Sequence, residues 1–309
     1  PEEDESCMNI GVVSFIVLLA GNLMGAVVGD VELHGNSTTK PDEKLYLAAA
    51  RSFQGGHWTT SARWFDELIN RFPDSPRRTK ATLLLGQSLF QQEKYREAYG
   101  VLANNQLAAG GLTDEYLYWM AECRLSQGNL DAADQVFGEL LRGYSNSNRI
   151  LEATVSSAFV AAQREDWVRV VALLSPAEGV FQRQAGNGFV EDLLQEGGLL
   201  LAEALLEQKN PTSARLLLDK LPRALQQRRG WRRDLLSIRI TEAMGQRGGS
   251  LEGILNLKAS IEKTEEVYWF AKVVQLQSQL LGEQGRWIQA ADNYNPLVQS
   301  NFAPSVRQK

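Results

Sequence analysis

The residues that most often carry catalysis are scarce in this chain. Its 309 residues include two histidines, His34 and His57, and two cysteines, Cys7 and Cys123. Two histidines leave little material for proton transfer, for a Ser/His/Asp or Cys/His set, or for a metal site. Two cysteines cannot form a disulfide framework or a four-ligand zinc site. The sequence therefore predicts a protein that is not an enzyme and that uses no cofactor or metal.

A basic segment is the second feature that could do chemistry. Between Ser213 and Arg247, nine lysines and arginines stand against three acidic residues. The centre of this basic patch is Arg228, Arg229, Trp231, Arg232 and Arg233. Such arginines could contact phosphates while the tryptophan stacks on a base, or they could meet anionic lipid, a cell-wall polymer or an acidic protein. The net charge of −5 on the whole chain argues against nucleic acid as the partner. A solvated helix surface without a partner is the remaining interpretation.

Composition and length restrict the class of protein. Hydrophobic residues make up 44% of the chain and charged residues 22%, which is typical of soluble globular proteins. These values exclude a disordered chain, a collagen-like chain and a membrane protein with many spans. The length allows one large domain or two average domains.

The N-terminal region predicts export. Residues 10–28 carry no charge, and small residues lie near the end of this segment at Gly25, Ala26 and Gly29. If translation starts at Met8, residues 1–30 contain the apolar core and cleavage region of a signal peptide, although no basic residue precedes the core. An uncleaved membrane anchor is the alternative, because an apolar stretch of this length can just span a bilayer. We therefore expect a periplasmic or exported protein, or one anchored in the inner membrane.

An internal repeat dominates the rest of the chain. Bulky residues recur at spacings of 37, 35, 37, 44 and 76 positions, namely Trp58, Tyr95, Leu130, Trp167, Pro211 and Trp287. A small residue lies nine positions before each one: Ala49, Gly86, Ala121, Ala158, Ala202 and Ser278. The longest gap equals two periods, which predicts a degenerate repeat between residues 241 and 260. Periods of this length are typical of stacked helix hairpins.

The repeat pattern predicts an all-α fold. No segment shows the strict alternation of a half-buried strand, while leucine clusters follow the helical period. We expect an α-α superhelix, a solenoid of about seven helix hairpins, with small residues at the contact between the two helices of a pair. The expected contact pairs are Gly86 with Ala98, Ala121 with Ala133, and Ala158 with Val170.

These residues resemble the tetratricopeptide repeat family from about residue 44 to residue 303. Small residues at the helix contact, a bulky residue that opens the second helix, and a closing proline such as Pro73 are the features of that family. The ending at residues 71–76, Arg-Phe-Pro-Asp-Ser-Pro, resembles bacterial envelope members such as the outer-membrane β-barrel assembly lipoprotein and the periplasmic Tol-Pal coordinator. The resemblance implies a protein-binding scaffold for other envelope proteins, including roles in outer-membrane assembly.

The resemblance also implies a binding groove. In such solenoids the first helix of each pair lines a concave surface. Projection onto these helices predicts groove side chains at Tyr46, Gln87, Glu115, Tyr118, Glu122 and Phe159. A groove of this composition suits a peptide with apolar anchors and some positive charge. We expect the first helices to expose Tyr118, Glu122 and Gln87 without using them in the core.

The sequence divides into six segments. They are a signal peptide or anchor (1–30), a linker (31–43), repeats one to four (44–180), an insertion loop (181–188), degenerate repeats five to seven (189–303) and a tail (304–309). Two alternative functions stay open: a cytoplasmic or membrane-anchored adaptor or regulator, and the non-catalytic helical part of a cell-wall enzyme. The sequence does not determine the identity of the partner or the oligomeric state.

Overall fold

The computed structural model describes residues 40–184, 191–221, 227–262 and 267–299. Within these ranges the ordered elements are helices and there is no β-strand. The predicted all-α fold of helix hairpins is therefore confirmed. The predicted signal or anchor segment, part of the insertion at residues 185–188 and the tail lie outside the described residues.

The chain forms two compact units. Unit 1, residues 1–164, contains α1 (Pro41–Gln54), α2 (Trp58–Arg71), α3 (Arg78–Gln91), α4 (Tyr95–Asn105), α5 (Thr113–Ser126), α6 (Leu130–Gly143) and α7 (Ile150–Gln163). Unit 2, residues 165–309, contains α8 (Trp167–Leu174), α9 (Val180–Arg183), α10 (Glu191–Glu207), α11 (Pro211–Lys220), α12 (Gln227–Ala243), α13 (Arg247–Glu262), α14 (Val267–Glu283), α15 (Trp287–Asp292) and α16 (Asn295–Gln299). Two short 3₁₀ turns, Gln106–Ala108 and Gly110–Leu112, connect α4 to α5.

A left-handed backbone residue marks the turn inside every helix pair. It lies two positions before α2, α4, α6, α8, α11, α13 and α15. These residues are Gly56, Glu93, Gly128, Glu165, Lys209, Gly245 and Gly285, with φ between 56° and 78°. Glycine adopts this conformation without cost, whereas Glu93 pays on the order of 1 kcal/mol for it. The turn at Gly245 shows that the degenerate repeat is the α12–α13 hairpin, so the predicted number of about seven pairs is confirmed.

Small residues allow the paired helices of unit 1 to approach closely. A Cβ atom added to Gly86 would lie 2.8 Å from Leu102 Cδ2, so this part of α3 has no room for a side chain. The expected partner of Gly86, Ala98, is fully buried, but Leu102, one turn later, makes the closest approach. Ala121 and Ala133 are also fully buried, as the predicted α5–α6 contact requires.

A polar clamp joins consecutive first helices and occurs twice in unit 1. At the start of α1, Asp42 Oδ2 accepts a hydrogen bond of 2.7 Å from Ser75 Oγ, and Glu43 pairs with Arg77. The same residue types recur two repeat periods later. There, Asp114 Oδ2 accepts from Ser147 Oγ at 2.6 Å, and Glu115 pairs with Arg149. The acidic start of a first helix is therefore tied to the loop that leads to the next one.

Unit 2 packs through two adjacent glycines in α10. A Cβ atom at Gly197 would lie 2.3 Å from the ring of Phe181, and one at Gly198 would lie 2.5 Å from Leu221. Phe181 is buried and belongs to α9, so the first part of the predicted insertion loop is a helix whose aromatic side chain packs on α10. The physical reason is burial. Phe181 covers its ring against Gly197 of α10, and the ring would stay exposed to water in a solvated loop.

Candidate functional site

The side chains predicted to line a groove are mostly buried. Tyr46, Gln87, Tyr118, Glu122 and Phe159 are each at most 5% exposed, and Glu115 is half-buried. All six lie on first helices of unit 1, as the repeat register predicts. The expectation that Tyr118, Glu122 and Gln87 are accessible and lie outside the core is wrong. Helices such as α3 and α5 contact their own second helix, the second helix of the preceding pair and a neighbouring first helix, and these contacts contribute to the burial.

Tyr118 takes part in a buried ionic cluster. Arg149 is 3% exposed, and its Nε donates to Glu115 Oε2 at 3.0 Å while its Nη1 donates to Glu152 Oε1 at 3.3 Å. Its guanidinium lies 5.3 Å from the centroid of the Tyr118 ring. Burial alone would lower the pKa of Arg149, but Glu115 and its neighbours raise the pKa above its usual value. The arginine charge is neutralised inside unit 1, and Tyr118 is the platform on which it rests.

Glu122 is a buried carboxyl group with one satisfied oxygen. Ser156 Oγ on α7 donates to Glu122 Oε1 at 2.7 Å. Burial raises the pKa of Glu122 to about 7, although Ser156, Tyr118 and Arg149 act to lower it. Burial also raises the pKa of the adjacent Cys123 thiol, which is fully buried. A carboxyl group with this pKa changes its charge near neutral pH, so the interior of unit 1 contains a titrating group.

Two of the predicted groove residues have unmet hydrogen-bonding capacity. Gln87 Nε2 on α3 and Glu122 Oε2 on α5 are buried and have no hydrogen-bond partner in the described part of the chain. A buried polar atom without a partner costs about 1–3 kcal/mol, and native proteins contain few of them. A polar ligand or a water molecule that bonded to either atom would therefore stabilise unit 1.

The basic patch is not an open cationic surface where the structure describes it. Trp231 is 4% exposed, and its indole nitrogen donates to Ser260 Oγ at 3.3 Å, so the ring is unavailable for stacking on a base. Arg233 donates to the backbone carbonyls of Leu221 and Leu218. The side chains of Arg228 and Arg229 lie outside the described residues.

Arg232, the remaining residue of the patch, belongs to an ion-pair ladder between α10 and α12. Its guanidinium lies 2.9 Å from Glu196 and 3.5 Å from Glu203, and Arg239 continues the ladder with Glu203 and Glu207. Burial would lower the pKa of Arg232, but the two glutamates raise it. The excess positive charge of residues 213–247 is thus partly neutralised by acidic residues of α10, which lie well upstream in the sequence.

An exposed apolar surface, which the repeat pattern did not predict, lies on the last helices of unit 2 that the structure describes. Of the nine large apolar side chains that are exposed in the described residues, five lie between residues 255 and 294: Leu255, Tyr268, Trp287, Ile288 and Tyr294. Trp287 is 70% exposed and Ile288 80%. The bulky residues at the same repeat position, Trp58 and Trp167, are half-buried. We call Trp287 and Ile288 the end surface. The sequence does contain a signal for it. Position 288 is apolar, whereas the equivalent repeat positions in unit 1 are the polar residues Thr59, Arg96 and Asp131.

Two kinds of site are absent from the described residues. No group of histidine, cysteine, aspartate and glutamate side chains gathers there in a way that could hold a metal ion. None of the helices there has both the length and the apolar character that crossing a bilayer requires. The uncharged residues 10–28 lie outside the described ranges.

Comparison with protein families supports the repeat over part of unit 1. Residues 55–140 match the family described as anaphase-promoting complex, cyclosome, subunit 3. The matched segment covers α2 to α5 and all but the last three residues of α6, which is less than a third of the chain. No curated protein matches the chain significantly.

Three solved structures are similar to this chain at low sequence identity. A tetratricopeptide repeat protein from Parabacteroides merdae is 14% identical with a TM-score of 0.57, and the match covers 86% of this chain and 96% of that one. The structure of Naa15/Naa10 bound to HypK-THB is 15% identical with a TM-score of 0.42, and the match covers 85% of this chain and 37% of that one. The apo form of the quorum sensor NprR from B. thuringiensis is 12% identical with a TM-score of 0.48, and the match covers 84% of this chain and 86% of that one. Of these three, the first score shows a shared fold.

Proposed function

We propose that this chain, whose fold is that of a tetratricopeptide repeat protein, is a non-enzymatic scaffold that binds other proteins of the bacterial cell envelope. Stacked helix hairpins of this kind present extended surfaces to partners. The scarcity of histidine and cysteine supports a binding role over catalysis. The envelope location rests on the uncharged residues 10–28 and on the resemblance of the Arg-Phe-Pro-Asp-Ser-Pro ending to envelope proteins.

The end surface is the observation that best supports a protein partner. The second helices α2, α4 and α6 are each covered by the first helix of the next pair, as are α11 and α13 in unit 2. Helix α15 has no buried residue, and among the described residues only the five-residue α16 follows it. Large exposed apolar residues beside polar ones are typical of interaction sites. The occupant that fits is an amphipathic helix of another protein, which would lie against α15 as the next first helix does elsewhere.

Site-specific photo-crosslinking in living cells tests this proposal. A photo-reactive residue replaces Ile288 in the full chain, and the matched control replaces Val168, which occupies the same repeat position on α8 and is 73% exposed. We expect position 288 to crosslink to a helix of a different envelope protein and position 168 not to do so. The Trp287→Ala variant should lose the adduct, because an interfacial tryptophan often contributes 2 kcal/mol or more. An adduct of two copies of this chain, or equal yields at both positions, would contradict a helical partner at the end surface.

Peptide binding at the predicted groove is the second candidate, and the unpartnered atoms of Gln87 and Glu122 favour it. A peptide backbone supplies both an acceptor for Gln87 Nε2 and a donor for Glu122 Oε2. Because both side chains are buried, this mode requires the first helices to expose them. The double variant Gln87→Leu and Glu122→Gln discriminates the two modes. It should keep the crosslink at position 288 if the end surface binds the partner, and it should abolish partner binding if the groove does.

The envelope location has its own test. Mass spectrometry of the mature protein should find an N-terminus near Val27 or Asp30, which indicates cleavage after export. A retained Met8 in the membrane fraction would support an inner-membrane anchor. A full-length chain in the cytoplasmic fraction would contradict the envelope assignment and favour the cytoplasmic adaptor.

A further inference from the structure

Unit 2 contains a cavity that neither the repeat pattern nor the end surface explains. It has a volume of about 380 Å³ and lies between α13, α14, α15 and the start of α16. Leu251, Leu255 and Leu281 form apolar parts of its wall, and Lys258, Arg286 and Asp292 contribute charge. Ligand pockets in proteins typically begin at about 300 Å³. This cavity, the Lys258 pocket, is therefore large enough for a small organic molecule.

The amino group of Lys258 is held in place by buried amides. Its Nζ donates to Asn293 Oδ1 at 2.6 Å and lies 3.4 Å from Gln277 Oε1. Asn293 is itself fixed, because its Nδ2 donates to the Val274 carbonyl and to Ser278 Oγ, both at 3.0 Å. Both amide residues are 8% exposed. A lysine ammonium has three donors, so two neutral oxygens leave one donor for a ligand.

Among the described residues, the positive charge of Lys258 forms no ion pair. In the part of the chain that the structure describes, no carboxylate lies within ion-pair distance of it, in contrast to Arg232 with its two glutamates. Burial lowers the pKa of Lys258, and Glu262, one turn away on α13, only partly offsets this. Arg286 likewise bonds to amide oxygens, those of Gln284 and Gln289. A partly desolvated cation of this kind gains from a bound anion.

The lining also defines which anion fits. Lys258 and Arg286 are positive and Asp292 is negative, so the lining carries a net charge of +1. A monoanion neutralises this charge, whereas a phosphate dianion would leave the pocket with a net negative charge. The leucines provide an apolar surface that a bare inorganic anion would leave uncovered.

We propose that the Lys258 pocket binds a carboxylate carried on a short aliphatic chain. The carboxylate receives the third donor of Lys258, and the aliphatic part lies on Leu251, Leu255 and Leu281. Two sources have this chemistry: a free aliphatic acid, and the C-terminal carboxylate of a protein that ends in an aliphatic residue.

Isothermal titration calorimetry on the full chain tests the proposal with two pairs of probes. Sodium octanoate is compared with the neutral 1-octanol, and the peptide acetyl-Ala-Ala-Leu with a free carboxylate is compared with its amide. We expect one equivalent of a carboxylate to bind and its neutral counterpart to bind at least tenfold more weakly, because charge-assisted hydrogen bonds are strong. Tighter binding of octanoate identifies a free acid as the source, and tighter binding of the peptide identifies a protein C-terminus.

Matched variants locate the binding site. Lys258→Met keeps the length of the side chain and removes the charge, and it should weaken carboxylate binding at least tenfold. Lys272→Met is the control, because Lys272 is an exposed lysine on α14 that does not line the pocket. Should Lys258→Met fail to fold, the exposed Arg286→Met variant replaces it, with a several-fold loss expected. Equal binding of acid and neutral probes, unchanged affinity in the pocket variants, or no binding of either carboxylate would overturn the proposal.

Discussion

The hairpins α5–α6 and α14–α15 follow the same local pattern but differ in burial. In α5, ten of fourteen residues are buried, including the polar Glu122 and Ser126. The second helix α6 buries Ala133, Phe137, Gly138 and Leu140, and α7 covers its far side. Helix α15 begins with an equivalent bulky residue, Trp287, yet none of its residues is buried.

This difference shows that a repeat determines a hairpin but not its environment. Both hairpins have a small residue on the first helix, a left-handed glycine in the turn and a bulky residue that opens the second helix. Burial then depends on the neighbouring pairs, because each hairpin leaves an apolar side that only another hairpin can cover. The hairpin α5–α6, which has neighbours on both sides, therefore encloses polar groups, whereas α15, which no long helix covers among the described residues, exposes apolar groups.

The largest difference in stability is expected when one aromatic residue from each hairpin is replaced by alanine. Tyr118→Ala should lower the free energy of unfolding by about 3–5 kcal/mol, because it removes a fully buried ring and leaves a cavity. Trp287→Ala should change it by less than about 0.5 kcal/mol, because the ring is 70% exposed. Urea denaturation followed by circular dichroism measures both values. Equal losses in the two variants would mean that α15 is as enclosed as α5.

Glu122→Gln tests whether enclosure in unit 1 has an electrostatic cost. Because burial raises the pKa of Glu122 from 4.5 to about 7, the folded state keeps a proton that the unfolded state releases. Stability should therefore fall as the pH rises from about 4.5 to 7 and stay low above that range. The amide variant should be more stable than the wild type by about 3 kcal/mol at pH 8 and should lose this pH dependence. A wild-type unfolding free energy that does not change between pH 5 and pH 8 would contradict the buried titration.

Gly86→Leu tests how closely the helices of unit 1 pack, and a glycine of unit 2 with free space around it serves for comparison. We expect a loss of at least about 1–3 kcal/mol, because even a Cβ atom would collide with Leu102. Gly230→Ala on α12 is the control, since an added Cβ there has no atom within 4 Å apart from its chain neighbours and the backbone of its own helix. That variant should gain up to about 1 kcal/mol from the higher helix propensity of alanine. Thermal melts of both variants give the comparison, and a stable Gly86→Leu variant would show that the α3–α4 contact is looser than described.

The smallest expected effect concerns Ile288. Ile288→Gln should change the free energy of unfolding by less than about 0.5 kcal/mol, because the side chain is 80% exposed. Val168→Gln at the same repeat position is the control for helix propensity and should behave in the same way. A destabilisation of 2 kcal/mol or more in the Ile288 variant alone, measured by urea denaturation, would place this residue in the core of unit 2.

Much of the fold could be predicted from the sequence because its determinants are local. The spacing from Trp58 to Trp287 predicted the helix pairs, and even the degenerate pair was expected between residues 241 and 260. The prediction of Ala121 and Ala133 at a close helix contact agrees with their full burial. Small residues, turn residues and prolines act within one hairpin, so one sequence suffices to locate them.

The candidate site could not be predicted in the same way. The six groove residues lie on the expected helices, but the projection of a single helix does not count the helices that surround it. Tyr118 and Glu122 looked accessible because α5 carries polar and apolar residues all around its circumference. Arg232 looked like part of an open basic surface because its partners, Glu196 and Glu203, belong to another hairpin.

The sequence by itself determined the class of fold, the repeat register and the turn positions, since these depend on residues within about one period of each other. Tertiary structure alone decided which polar groups are buried and which charges are neutralised. It also decided that Trp287 is exposed while Trp58 and Trp167 are half-buried. The physical reason is that burial and ion pairing are properties of neighbours in space. In a stack of hairpins these neighbours come from other repeats, about 35 residues away.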